Sequence, residues 1–205
     1  MRRTVFRVIA GVLNRLKVAL WRLTVNKSRV QIGKNVKILG LPILQAFKES
    51  TIEIGDRVVL VSDSRYTALG VSHPTILRTL RTSAEIIIGP DCGLSGTTIC
   101  SSVSVRIGKR CLIGADVSIM DTDFHNVDSV DRRYQDIPTS HVSDSVIIGD
   151  DVFIGARTII LKGVRIGNGA VIGAGSILSS NVQDNEIFAG NPAKLLRRLK
   201  IEKKL

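Results

Sequence analysis

Aromatic residues make up only 4% of the 205 positions, and the chain holds three cysteines and three histidines. So few aromatics argue against a nucleic-acid binder, which stacks bases on aromatic rings along a basic groove. Cys92, Cys100 and Cys111 show no paired metal-ligand spacing and no secretory context, which excludes a cysteine zinc site and a disulfide framework. Cys92 and Cys111 read instead as small buried core residues. A long uninterrupted apolar run is also missing. Arg15, Lys17 and Arg22 break the one candidate, near the N-terminus, too early for a spanning segment or an ordinary signal peptide. The chain is therefore expected in the cytoplasm. Acidic residues are absent from positions 1–34, which carry nine Lys or Arg.

That absence explains the formal charge of +11. Residues 194–205 add six basic residues against one acid, whereas residues 35–193 hold fourteen basic and seventeen acidic, a net of −3. The body is not basic, and no nucleic-acid partner is expected. Within residues 1–28, Val5, Val8, Ile9, Val12, Leu13, Leu16, Ala19, Leu20 and Leu23 recur at helical spacing with Arg2, Arg3, Arg7, Arg15, Lys17 and Arg22 between them. This predicts an amphipathic basic helix. Such a helix lies on an anionic membrane face or covers the open end of a repeat structure, and the two uses are compatible.

What the chain has in abundance is a period of six. Ile148, Ile154, Ile160, Ile166, Ile172 and Leu178 occupy first places, and Val152, Thr158, Val164, Ala170, Ser176 and Val182 occupy fifth places. Six fits neither the helical nor the strand period. It fits a parallel β-helix in which three hexads make one triangular coil. Residues eighteen apart then stack, Ile148 over Ile166, Ile154 over Ile172 and Ile160 over Leu178, at about 4.8 Å. Gly149, Gly155, Gly167 and Gly173 at second places are expected to serve corners that need permissive backbone angles. The same grammar begins near residue 30 and fails between Ile38 and Ile54, from Tyr66 to Ala84, and between Met120 and Val146. Those are insertions, and loops on a rigid scaffold are where binding and catalysis concentrate.

The longest insertion holds Asp121-Thr122-Asp123-Phe124-His125. Histidine is the side chain best suited to take a proton from a hydroxyl near neutral pH. The hexads, this segment and the ending Ala189-Gly190-Asn191-Pro192-Ala193-Lys194 resemble the hexapeptide-repeat acyltransferases, in particular the bacterial O-acetyltransferases of sugars and surface polysaccharides. The resemblance spans residues 30–200. It implies an all-β fold, a left-handed parallel β-helix over residues 29–188 with an active-site loop at 120–146, flanked by the N-terminal helix and a short basic C-terminal helix within 189–205. It further implies a homotrimer with acetyl-coenzyme A between subunits and no metal. His125 is then the general base of a direct transfer without an acyl-enzyme, with a backbone N–H stabilising the oxyanion.

Asp123 and Asp121 are candidates to orient His125, as carboxylates do in other base-activated systems. His73 and Ser95 are candidates for acceptor contacts. Ser95 and Leu94 stand where disaccharide acetyltransferases of this family carry an asparagine, a departure that points away from a free disaccharide acceptor. The family's coenzyme contacts carry over to Ala156 and Ala174, where small side chains leave room for pantetheine. They also carry over to Ser179 and Ser180 in place of Thr-Lys, and to Lys194 and Arg197 for the 3′-phosphate. A γ-class carbonic anhydrase, which has this fold and a three-histidine zinc site, does not match the spacing of His73, His125 and His141. The expected function is O-acetylation of a sugar hydroxyl in a surface polysaccharide or its precursor, in the cytoplasm or at the inner membrane face. N-acylation of an amino sugar or small amine is the first alternative, and a non-catalytic scaffold is the second.

Overall fold

The computed structural model describes residues 2–136 and 138–200. Helix α1 (Arg2–Thr24) leads into six coils, each contributing one strand to each of three sheets, A, B and C. Coil 1 comprises Val30–Ile32, Lys37–Leu39 and Ile43–Gln45; coil 2 comprises Thr51–Ile54, Val59–Val61 and Ile76–Thr79. Coil 3 comprises Glu85–Ile88, Gly93–Ser95 and Thr98–Ser101; coil 4 comprises Ser104–Ile107, Leu112–Ile113 and Ser118–Met120. Coils 5 and 6 are the unbroken hexads, with strands Val146–Ile148, Phe153–Ile154 and Ile159–Ile160, then Arg165–Ile166, Val171–Ile172 and Ile177–Leu178.

All pairing between coils is parallel, and the expected stacks of Ile148 on Ile166, Ile154 on Ile172 and Ile160 on Leu178 are present. The core is a set of side-chain ladders. Leu60, Leu94, Ile113, Ile154 and Ile172 form the ladder of sheet B, and Leu77, Ile99, Ile119, Ile160 and Leu178 that of sheet C. All ten are buried, and each such side chain contributes roughly 1.5–3 kcal/mol of burial. Cys92 and Cys111 are buried where the hexads place them, and all three thiols are free. The strand Ile76–Thr79 lies inside the stretch counted as an insertion, so the extra residues there are confined to 62–75.

The second-place glycines serve a purpose other than the one expected. Their φ angles are not positive, and what they provide is clearance: a Cβ on Gly149 would lie 2.6 Å from Asn168 Oδ1. The left-handed backbone falls two residues later, at Asp151, Arg157, Gly169 and Gly175. Between sheets A and B this corner places Asn35, Arg57, Asp91, Arg110, Asp151 and Gly169 in one left-handed column. Arg57 donates to both oxygens of Asp91, and Arg110 to both oxygens of Asp151.

Helix α1 covers the open end of coil 1. Val18, Trp21 and Val25 pack on the core cluster, Asn14 Nδ2 donates to the Ile38 carbonyl at 2.9 Å, and Gly40 N–H donates to Asn14 Oδ1 at 3.0 Å. The opposite end closes differently from expectation. No helix forms over residues 189–200. Glu186–Gly190 extends sheet B, and Ala193–Arg198 returns antiparallel to it after a turn containing a cis Asn191–Pro192 bond. Residues 201–205 of the expected C-terminal helix lie outside the described residues. The physical reason is the sheet edge: unpaired N–H and C=O groups of the last coil gain a ladder from a strand that an isolated helix could not supply.

Candidate active site

The loop at residues 121–145 leaves the corner between sheets C and A of coil 4. Its first residue is a structural anchor. The Asp121 carboxylate is fully buried and accepts from Ser101 Oγ at 2.8 Å and from the N–H groups of Ser102, Val103 and Ser104 at 2.5, 2.9 and 2.8 Å. With its oxygens occupied by the turn of the preceding coil, Asp121 does not orient His125. That expectation is corrected.

Two residues on, the chain reverses. Phe124 has φ +61°, and His125 N–H donates to the Asp123 carbonyl at 2.7 Å, a γ-turn that presents the His125 side chain to solvent. The Asp123 carboxylate is engaged by Lys162 Nζ at 2.6 Å, and the same ammonium lies 3.9 Å from Asp144 Oδ1. Lys162 sits in the corresponding corner of coil 5 and so ties the outgoing limb of the loop to the returning one. Asp123 holds its lysine more basic than usual. Lys162 was not singled out from the sequence, since an isolated lysine in a hexad corner carries no signal. The Asp123 carbonyl thus closes the turn that carries His125, while its carboxylate is turned to Lys162. His141 caps the short 3-10 turn at Val142–Asp144, its N–H donating to Asp144 Oδ2 at 2.7 Å.

The other sequence-derived residues divide by corner. Ala156 and Ala174 stack at the corner between sheets B and C, and with Leu69, Gly70, Ala115 and Arg157 they line a groove of about 400 Å³. Its floor is bare backbone, suited to a thin amide-bearing chain, and Arg157 offers an exposed cation. The loop at 62–75 roofs it, pinned by Ser72 N–H donating to Asp116 Oδ1 at 2.9 Å. Ala115 and Arg157 went unnoticed in the sequence, although Ile113-Gly114-Ala115 repeats the Ile-Gly-Ala pattern of the two later coils. Ser95 ends its sheet B strand at this corner, and its carbonyl accepts from Asp116 N–H at 3.0 Å. His73 belongs to the roofing loop and donates through Nδ1 to the Pro74 carbonyl at 2.9 Å.

Ser179 and Ser180 are exposed at the corner between sheets C and A, the side of His125. The two corners are separated by the width of sheet C, about 15 Å for strands with their flanking residues. One chain therefore does not bring Ser95, His73, Ala156 or Ala174 to His125. Nor does it bring Ala174 to Ser179 and Ser180. Lys194 and Arg197 are exposed on the terminal strand of sheet B, while Arg198 pairs with the buried Glu186. Among the described residues no group of three His, Cys, Asp or Glu side chains could hold a metal, and no helix is long and apolar enough to cross a membrane.

Comparison with known proteins agrees with this architecture. The family described as hexapeptide repeat of succinyl-transferase matches residues 104–120 and 145–180. A putative lipopolysaccharide biosynthesis O-acetyl transferase, WbbJ of Escherichia coli K12, is 35% identical over 111 residues, which are 52% of this chain and 57% of WbbJ. The chain thus spans little more than half of that relative. Among solved structures, the acetyltransferase VCA0836 of Vibrio cholerae, complexed with acetyl-coenzyme A, has a TM-score of 0.51 at 22% identity, covering 83% of this chain and 72% of its own. A variant of AntD, an N-acyltransferase of Bacillus cereus in complex with dTDP-4-amino-4,6-dideoxyglucose and coenzyme A, has a TM-score of 0.63 at 21% identity, covering 83% and 84%. The likeness to these solved structures shows the fold, a left-handed parallel β-helix, and residues 104–120 and 145–180 carry its hexapeptide repeat.

Proposed function

We propose that the protein is an O-acetyltransferase that moves an acetyl group from acetyl-coenzyme A to a sugar hydroxyl of a surface polysaccharide or its precursor, working as a homotrimer at the inner membrane face. The observation that carries this reading is the separation of a solvent-presented imidazole and a backbone-floored groove at opposite edges of one sheet. A trimer with sheet C facing the threefold axis sets the His125 corner of one copy against the Ala156 and Ala174 corner of the next. The outer face of sheet C favours such burial, since Ile43, Ile76, Ile159 and Ile177 stand on it only partly covered. The outer face of sheet A is more polar, with Gln31, Glu53, Glu85, Arg106 and Arg165 set around Ile87 and Ile147.

In the assembled cleft, His125 takes the proton of the acceptor hydroxyl as that oxygen attacks the thioester carbonyl. A groove N–H receives the developing oxyanion, an interaction whose loss costs about 3 kcal/mol in well-studied enzymes. Collapse of the tetrahedral intermediate expels the thiolate, to which the imidazolium returns a proton. Ser95 and His73 of the groove-bearing copy face the acceptor, and Ala156, Ala174, Arg157, Lys194 and Arg197 of that copy border the coenzyme. Ser179 and Ser180 of the His125-bearing copy close the cleft from the other side. The likeness to WbbJ supports a glycan hydroxyl as acceptor. The amine-acceptor alternative gains support from the likeness to AntD.

The test is free-thiol release from acetyl-coenzyme A with glycan and amino-sugar acceptors, for the native chain and for His125→Ala. A hydroxyl acceptor requires the base, so the variant should lose about 10³-fold or more in rate. An amine arrives neutral and needs less help. Retention of most of the hydroxyl-directed rate would overturn the reading. A scaffold, the remaining alternative, would show no thermal stabilisation at millimolar acetyl-coenzyme A.

A further inference from the structure

From residue 11 to residue 24, helix α1 is covered on one side only. Val18, Trp21 and Val25 face the end of coil 1, whereas Val12, Leu13, Leu16, Leu20 and Leu23 lie on the far side, with Leu16, Leu20 and Leu23 being 57%, 67% and 75% exposed. At about 100° per residue these five fall within an arc of about 100°, and its centre is nearly opposite the docked face. Arg15 borders the arc on one edge and Lys17 on the other, both exposed, while Arg22 turns toward coil 1 and donates to the Val36 carbonyl at 3.5 Å. No acidic side chain occurs on the helix or before Glu49. The helix therefore carries two apolar faces, one committed to the solenoid and one directed away along the solenoid axis.

We propose that this second face docks end-on onto an anionic lipid bilayer while the first stays on coil 1. The partner follows from the chemistry: a leucine stripe with cations on both edges matches an interface of acyl chains beneath anionic headgroups. The orientation follows from the cap, because a helix held across the end of the prism stands the coil axis upright on the membrane. Height follows in turn. Coil 4, which emits the His125 loop, lies three strand spacings of about 4.8 Å beyond coil 1, and the helix adds about 10 Å. His125 then works on the order of 25 Å above the headgroups. Resting on the reading as a glycan acetyltransferase, this selects an acceptor whose modified sugar stands several units out from its lipid, rather than a sugar attached directly to it.

The experiment needs no acceptor, so its failure is separate from failure of the chemistry. The full chain is sedimented with vesicles of phosphatidylglycerol and phosphatidylethanolamine and with phosphatidylcholine alone. Binding to the anionic vesicles that weakens with salt is expected, and Leu16→Ser with Leu20→Ser should reduce it about 100-fold or more. Both positions are exposed, so the variant should melt like the parent and keep its mass in light scattering. A changed mass would mean that the stripe packs between copies and would overturn the proposal, as would unreduced binding.

Trp21, the single tryptophan, reports the cap. Facing the solenoid, it should escape quenching by brominated lipid, whereas Leu20→Trp in a Trp21→Phe background should be quenched. Quenching of Trp21 would show the helix peeled from coil 1 and would refute end-on docking. A dye on Val130→Cys should transfer energy to labelled headgroups at a distance near the stated height. A side-on distance under about 10 Å would equally refute it.

Discussion

Removing the Asp121 carboxylate tests the assignment of this residue to the scaffold. In Asp121→Ala, the N–H groups of Ser102, Val103 and Ser104 lose their acceptor in a site from which the carboxylate excluded water, and Ser101 Oγ loses its partner. An unpaired buried donor costs about 1–3 kcal/mol. Water entering the vacated space offsets part of this, leaving a loss of about 3–5 kcal/mol. At a urea slope of about 2 kcal/mol per molar, the unfolding midpoint should fall by roughly 2 M. Asp121→Asn keeps one acceptor oxygen and should fall between. The control is Asp123→Asn, whose carboxylate is exposed and whose ion pair contributes at most about 1 kcal/mol. A midpoint for Asp121→Ala within about 0.5 M of the parent would refute the reasoning, as would an equal loss in Asp123→Asn.

Lys162 should behave as a clasp. Its basicity is raised by the hydrogen bond to Asp123, so its contribution is complete below the unfolded value of about 10.4 and is lost as pH rises through the higher folded value. The gap in Tm between the native chain and Lys162→Gln should therefore be present at pH 8 and close only as pH rises through the raised lysine value, as differential scanning would show. Ile159→Glu and Ile177→Glu put charge on the outer face of sheet C. They should yield a folded monomer by light scattering, with transferase activity falling at least 100-fold because the cleft is no longer shared. Ala174→Leu should fill the groove and weaken coenzyme binding in calorimetry by about 10-fold or more, leaving the melting curve unchanged because Ala174 is exposed.

The legibility of this chain followed the regularity of its hexads. In coils 5 and 6 every first-place aliphatic and every stacking partner could be read, because a period of six leaves no freedom of register. Coil 2 was harder, since an insertion of loop residues before Ile76–Thr79 breaks the count and hides a regular strand behind it. The ending departs from its local sequence for a different reason. Ala193, Lys194, Leu195, Leu196, Arg197 and Arg198 are all good helix formers, yet the exposed edge of sheet B captured them as a strand. Propensity is local, and the edge that overrode it belongs to tertiary structure. His125 was legible as a motif residue, whereas the role of Asp121 was not, because nothing in Asp-Thr-Asp-Phe-His distinguishes a carboxylate turned inward from one turned outward. The groove was half legible: Ala156 and Ala174 came from resemblance, while Ala115 and Arg157 required the coils to be stacked.

The corner column of Arg57, Asp91, Arg110 and Asp151 bears on how a repetitive chain finds its own copy number. Near-identical coils invite a folding error in which one coil is looped out and its neighbours close over the gap. Here the signs alternate, so skipping coil 3 would set Arg110 on Arg57, and skipping coil 4 would set Asp151 on Asp91. Each exposed pair is worth only a few tenths of a kcal/mol, but a skip exchanges attraction for repulsion and doubles the penalty. The edge of the prism thus works as a parity check on assembly, written in side chains that the finished fold scarcely needs for stability.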